Sequence, residues 1–280
     1  MTTTAPTLPS TTRIAFIGGG NMASAIIGGL IRRGLPAAHI QVVEPFEATR
    51  QALAAQHGVA AQAAPSAALS QADLLVWAVK PQIFAEAAAP VRTHAGGALQ
   101  LSVMAGIRAD AIAAAVSATP SATRIVRCMP NTPALIGQGM TGLFAAPAAT
   151  PADRALAESV IATTGDFLWV EREAQLDAVT ALSGSGPAYV FYFLEAMQQA
   201  GTELGLSADQ ARRLAVGTFA GGSALAKDSP EPLATLCERV TSKGGTTYAA
   251  LTVMRESNLG DHFVTAMKAA AQRAKELGQT

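Results

Sequence analysis

Cysteine, histidine and charge are all scarce in these 280 residues. The two cysteines, Cys128 and Cys237, lie far apart in the chain. That pattern argues against a disulfide framework and for reduced thiols in a cytoplasmic protein. The four histidines, His39, His57, His94 and His262, fall in none of the motifs described below, and no Cys/His spacing suits a metal. Both metal catalysis and a histidine acid–base pair are therefore disfavoured. Charged residues make up only 14% and the formal net charge is zero, so nothing marks a nucleic-acid or anionic-membrane partner. No run of about 18 uncharged apolar residues occurs, and no membrane-spanning helix is expected. Met1 to Thr12 is rich in Thr, Pro and Ser and has neither the basic start nor the apolar run of a signal peptide. It reads as a disordered tail.

What is present is a chain that is 50% apolar and rich in alanine, long enough for one large or two modest domains with a real core. From Arg13 to about Val170, short β-rich runs alternate with alanine-rich helical stretches. Strands are expected at 14–17, 40–43, 74–79, 98–103, 124–128, 140–144 and 167–170. Helices are expected near 22–33, 46–56, 81–90, 108–117 and 151–163. This alternation predicts a parallel, doubly wound α/β sheet over residues 13–170. Beyond Glu173 the strand signals stop, and Val190, Phe193, Leu194, Met197, Gly201 and Leu204 recur at helical spacing. Further helices are expected at 208–227, 231–240, 246–257 and 261–277. Residues 171–280 are thus expected to form an all-helical domain.

The chemistry starts at Gly18-Gly19-Gly20-Asn21-Met22-Ala23, a G-x-G-x-x-A string between an expected strand and an expected helix. Gly18 would allow a tight turn and Gly20 the approach of a pyrophosphate, while Ala23 would allow close helix–strand packing. Glu44 follows the second strand, where an acid would hold a ribose 2′-hydroxyl and favour NADH. Arg50 could instead meet the 2′-phosphate of NADPH, or Glu44 could simply cap the helix near Phe46. The choice between NADPH and NADH stays open. Three polar turns end successive strands: Ala78-Val79-Lys80-Pro81-Gln82, Ser102-Val103-Met104-Ala105-Gly106 and Met129-Pro130-Asn131-Thr132-Pro133. Ligands of doubly wound sheets bind at that edge, although Lys80 could equally be a solvated strand-end lysine. In the helical half, Gly184 and Gly186 offer permissive turns before Pro187, which suits the first position of a helix starting at 185–188. Thr241-Ser242-Lys243-Gly244-Gly245-Thr246-Thr247 places hydroxyls and glycines before another helix, either as an anion-binding nest or as a plain N-cap.

In their order and spacing these segments resemble the pyrroline-5-carboxylate reductases, enzymes of the last step of proline synthesis. The resemblance runs from Ile14 onward through Phe16 to Met22, Ala78 to Pro81, Arg127 to Pro133, Asp177 to Tyr189 and Thr241 to Thr247. It implies a Rossmann-type domain followed by an all-α oligomerisation domain, dimers gathered into a decamer, and hydride transfer from NADPH or NADH to the C=N of 1-pyrroline-5-carboxylate. It further implies that Ser242 and the amides near Gly245, Thr246 and Thr247 hold the substrate carboxylate. Thr247 would lie near the ring nitrogen as the catalytic residue, and Glu173 near the substrate. Gly18, Gly19, Gly20, Asn21, Met22, Ala78, Val79, Lys80, Pro81, Met104, Ala105 and Gly106 are the expected cofactor contacts, together with Glu44, which is expected from its place after the second strand and, like Met1 to Thr12, is not part of the resemblance. The family often has proline where this chain has Lys243. A β-hydroxyacid-type dehydrogenase is the nearest alternative, but the helix from Pro187 to Leu204 lacks the lysine those enzymes use. A non-catalytic dinucleotide sensor would not need the nest.

Overall fold

A computed structural model describes residues 8–95 and 97–278. These divide into two compact units, one within Met1–Ser185 and Ala270–Thr280, the other Gly186–Ala269.

The first unit is an eight-stranded sheet flanked by helices. Its elements run β1 (Ile14–Ile17), α1 (Asn21–Arg32), β2 (Ile40–Val43), α2 (Glu47–His57), β3 (Ala61–Gln62), β4 (Leu74–Trp77), α3 (Phe84–Val91), β5 (Leu99–Ser102), α4 (Ala109–Val116), β6 (Ile125–Met129), β7 (Gly139–Ala145), α5 (Pro151–Ile161), β8 (Gly165–Trp169) and α6 (Gln175–Val179). The strand order is β3-β2-β1-β4-β5-β6-β7-β8. Ile14 of β1 pairs with Ile40 on one side and Leu74 on the other, both parallel. The order therefore reverses between β1 and β4, the crevice position at which such sheets bind ligands.

β1, β4 and β5 are buried at every position, because helices cover both faces of a parallel sheet. Alternate residues feed opposite cores. Ile14 and Phe16 join Ile26, Leu53, Val76 and Leu101 on one face, while Ala15 and Ile17 join Leu75, Trp77, Phe84 and Ile112 on the other. Leu8 packs against the first core and Thr12 is buried. The chain is thus already anchored within the stretch expected to be a tail; only Met1 to Thr7 of that stretch lie outside the described residues.

One pairing departs from the all-parallel expectation: β6 and β7 are antiparallel, with Cys128 opposite Leu143. The connection between them contains the 3-10 turn Thr132–Ile136 rather than a crossover helix. So short a link returns the chain antiparallel. β3 was not anticipated either, since two residues carry no readable period.

The string before Pro187 also differs from expectation. Thr180–Gly184 forms a π-helical turn continuing α6, and neither Gly184 nor Gly186 has positive φ. A methyl added at Gly184 would lie 2.6 Å from Met129 Cε, so this glycine serves close packing rather than turning. Asn131 Oδ1 accepts the Met140 amide at 2.9 Å, its Nδ2 donates to the Ser183 carbonyl at 3.2 Å, and the Ser183 hydroxyl donates to the Met140 carbonyl at 3.0 Å.

The second unit is helical, with α7 (Gly186–Glu203), α8 (Ala208–Asp228), α9 (Leu233–Arg239), α10 (Thr246–Glu256) and most of α11 (Leu259–Leu277). Ser207 and Gln210 form a reciprocal capping box that starts α8. α7 and α8 approach closely where a methyl on Gly201 would meet Ala211 Cβ at 2.7 Å. Phe263 of α11 stacks edge-on against Tyr189 of α7, with centroids 5.9 Å apart. Even so, α7 has no buried residue.

Candidate active site

In the first unit, the carboxyl ends of the parallel strands β1, β2, β4, β5 and β6 lie on one edge of the sheet, and the expected cofactor residues gather there. Gly18 sits at φ +96, and a methyl on it would lie 2.6 Å from the Ala78 carbonyl oxygen. Only glycine combines that backbone with that contact. Gly18 N–H donates to the Val43 carbonyl and Ala78 N–H to the Ile17 carbonyl, both at 2.8 Å, so the turns after β1, β2 and β4 are tied together. Gly20 is different: it is exposed, has ordinary φ −68, and nothing stands within 4 Å of where a methyl would be. No side chain caps α1, so its first amides remain available. A tight left-handed turn, an open glycine and an uncapped helix start together fit the pyrophosphate of a dinucleotide.

The other members take distinct parts. Asn21 is exposed, whereas the Met22 side chain packs against the core, leaving only its backbone for a ligand. Lys80 is exposed in extended geometry, as a residue before proline must be, and Pro81 opens a 3-10 turn ending at Ile83. Val79 is half-buried against the second core. After β5, the buried Ser102 hydroxyl accepts the Met104 amide at 3.3 Å, Ala105 is half-buried and Gly106 turns at φ +80.

Glu44 is only 6% exposed. Its Oε2 accepts Gly19 N–H at 2.8 Å and its Oε1 accepts Phe46 N–H at 2.9 Å. The N-cap of α2 is Phe46, whose own side chain makes no cap bond. Glu44 holds the Phe46 amide just before the helix and with its other oxygen anchors the glycine loop to the turn after β2.

Glu173 also has a built environment. Its Oε1 accepts Ala109 N–H at 2.6 Å and pairs with Arg127 Nη1 at 2.9 Å, while Oε2 pairs with Arg108 Nη2 at 3.3 Å. The Arg127 Nε is buried with no hydrogen-bond partner. Arg127 opens the family-like segment Arg127 to Pro133 but is not among the expected site residues. Its signal was a lone cation inside the apolar run Ile125-Val126-Arg127-Cys128. Cys128 is buried, and loss of solvation pushes its thiol well above the ordinary range, which makes it a poor nucleophile.

In the second unit, Gly245 is the N-cap of α10 and makes no side-chain cap bond. Gly244 is left-handed at φ +74, and Gly245 N–H donates to the Ser242 carbonyl at 3.0 Å. A methyl on Gly245 would lie 2.5 Å from Ser242 Oγ. Thr241 points away from this turn, donating to the Cys237 carbonyl at 2.6 Å. Ser242, Lys243, Thr246 and Thr247 are exposed. The segment is therefore an open helix start rather than a hydroxyl-capped one, with first-turn amides and the positive dipole end available to an anion. Among the described residues, no group of three or more His, Cys, Asp or Glu could hold a metal ion.

Residues 173–277 match the family model described as pyrroline-5-carboxylate reductase dimerisation, and residues 13–106 match NADP oxidoreductase, coenzyme F420-dependent. A pyrroline-5-carboxylate reductase from Pasteurella multocida is 41% identical over 270 residues, covering 94% of this chain and 97% of that protein. The solved reductase from Coxiella burnetii is 36% identical with a TM-score of 0.89, over 96% of this chain and 100% of the other. The reductase from Plasmodium falciparum, solved with NADP bound, shares the fold at 24% identity and a TM-score of 0.85, over 96% of this chain and 99% of that one. The chain belongs to the pyrroline-5-carboxylate reductase family.

Proposed function

We propose that the two helix starts divide the labour of an NAD(P)H-dependent reduction of 1-pyrroline-5-carboxylate to L-proline. At the first, the open amides of Gly20, Asn21 and Met22 hold the dinucleotide pyrophosphate, while Gly18 and Gly19, whose amides are taken by Val43 and Glu44, shape the turn that brings it close. Ala78, Val79, Lys80, Pro81, Met104, Ala105 and Gly106 line its nicotinamide half. When bound, the dinucleotide supplies the hydride. At the second, Ser242 and the amides of Gly245, Thr246 and Thr247 hold the substrate carboxylate, and the Thr247 hydroxyl orients and polarises the ring nitrogen. A cyclic imine accepts hydride best when protonated and can arrive so, which is why no histidine acid is needed. Glu173 acts as a positioning residue through the Arg108–Ala109 turn it holds. The observation that carries this reading is the α10 start: a left-handed Gly244, a glycine N-cap and no side chain on the first amides.

The dimerisation match over 173–277 supports a functional boundary near residue 171 and self-association through the helical half. Assembly of dimers into a decamer and a cytoplasmic location complete the proposal. No described helix is long and apolar enough to cross a membrane.

Steady-state kinetics on two variants test the assignment. Thr247→Ala should lower kcat by roughly 10- to 1000-fold, the range for losing one positioned donor. Ser242→Ala should mainly raise KM, because carboxylate contacts persist in ground and transition states. Intact kcat in the first together with intact KM in the second would reduce the segment to a helix start without a ligand.

A further inference from the structure

We infer that this chain is built to select NADH over NADPH, with Glu44 as the selecting residue. The inference rests on the reading that the glycine edge binds a dinucleotide.

The Glu44 carboxylate is held rigidly at the end of β2 by Gly19 N–H and Phe46 N–H, and its own backbone N–H is fixed to the Gln62 carbonyl at 2.8 Å. Each of its oxygens accepts one amide, leaving acceptor capacity but no donor. A ribose diol at this position donates to such a group; a 2′-phosphate there faces a fixed negative charge that cannot swing away. The one cation of the same loop is already engaged. Arg50 Nη1 donates to the Glu44 carbonyl at 3.0 Å and the Pro45 carbonyl at 2.7 Å, and its Nη2 pairs with Glu47 at 3.0 Å. The turn itself, Glu44-Pro45-Phe46-Glu47, holds two carboxylates and neither a hydroxyl nor a cation. Phosphate recognition needs those missing donors, and like charges brought together at an interface are strongly disfavoured.

Equilibrium binding of NADH and NADPH to the purified protein, followed by nicotinamide fluorescence without substrate, tests this independently of turnover. The expected result is that NADH binds at least about tenfold more tightly. Equal or tighter binding of NADPH would overturn the proposal. Two variants locate the cause. Glu44→Ser removes the carboxylate and should shrink the preference to about threefold or less. Phe46→Arg, at a position 70% exposed and so harmless to folding, supplies a free cation and should tighten NADPH alone. If the preference persisted in Glu44→Ser, or if NADPH affinity were unmoved in Phe46→Arg, selection by this loop would be refuted. Failure of both dinucleotides to bind the unaltered protein would overturn the glycine-edge reading itself, a result distinct from binding without preference.

Discussion

Two glycines two positions apart make opposite demands on the same loop. Gly18 is held by backbone geometry and by the Ala78 carbonyl. Gly18→Ala should therefore destabilise the fold by roughly 1–3 kcal/mol for the left-handed backbone, with the added clash on top. Gly20 has ordinary backbone and open space. Gly20→Ala should leave the free energy of unfolding unchanged to within about 0.5 kcal/mol and yet weaken dinucleotide binding, since the methyl occupies the approach of the pyrophosphate. Thermal unfolding and binding measured on both variants check the contrast; a loss of stability in Gly20→Ala comparable to that of Gly18→Ala would contradict it. Glu173 makes the second residue-scale test. Its pair with Arg127 has both side chains nearly out of solvent, and removing one partner of a buried pair costs about 3–5 kcal/mol. Glu173→Gln should lower the denaturant midpoint accordingly, whereas an unchanged midpoint would mean the pair does not brace the edge.

At the scale of elements, α5 offers a cap that is complete on both sides. Thr150 Oγ1 accepts the Asp153 amide at 3.2 Å and Asp153 Oδ2 accepts the Thr150 amide at 2.8 Å, with Pro151 at the first helical position. Thr150→Ala should cost about 1 kcal/mol, read by urea unfolding; no change would show that the box is redundant with the Arg124–Asp153 pair. Elements of this strength were legible in the chain. β1 and β2 fall at the bounds expected from their apolar runs, and α5, α8 and α10 start at the expected residues. What escaped had physical reasons. β3 is too short to show a period, and the antiparallel β7 depends on a turn whose direction no propensity encodes. The segment before Pro187 looked like a glycine turn because Gly184 was read for its backbone freedom; its real constraint is Met129, a neighbour distant in sequence. The site was legible to the extent that it uses backbone. The glycine loop and the α10 start follow from residue type and position, while the commitments of Glu44 and Glu173 to particular amides and arginines follow only from tertiary packing.

At the scale of the whole molecule, the helical unit exposes more apolar surface than a single copy can sustain. Phe191 and Tyr192 on α7 are 65% and 70% exposed, and Val190, Met197, Leu204, Leu214 and Val216 are also exposed around them. Patches of this kind mark association surfaces, and the dimerisation match covers this region. The double variant Phe191→Glu/Tyr192→Glu should shift the protein toward monomer at micromolar concentration in light scattering, because each aromatic anchor at an interface centre is worth about 2 kcal/mol or more. An unchanged mass would place the interface elsewhere. The central claim, that this chain reduces a cyclic imine with a reduced dinucleotide, is tested most directly by one reaction. Purified protein is mixed with 1-pyrroline-5-carboxylate and reduced dinucleotide, and nicotinamide absorbance is followed alongside L-proline formation. The account predicts loss of reduced dinucleotide matched mole for mole by L-proline, abolished when substrate is omitted; no oxidation of either NADH or NADPH by protein that binds them would contradict it.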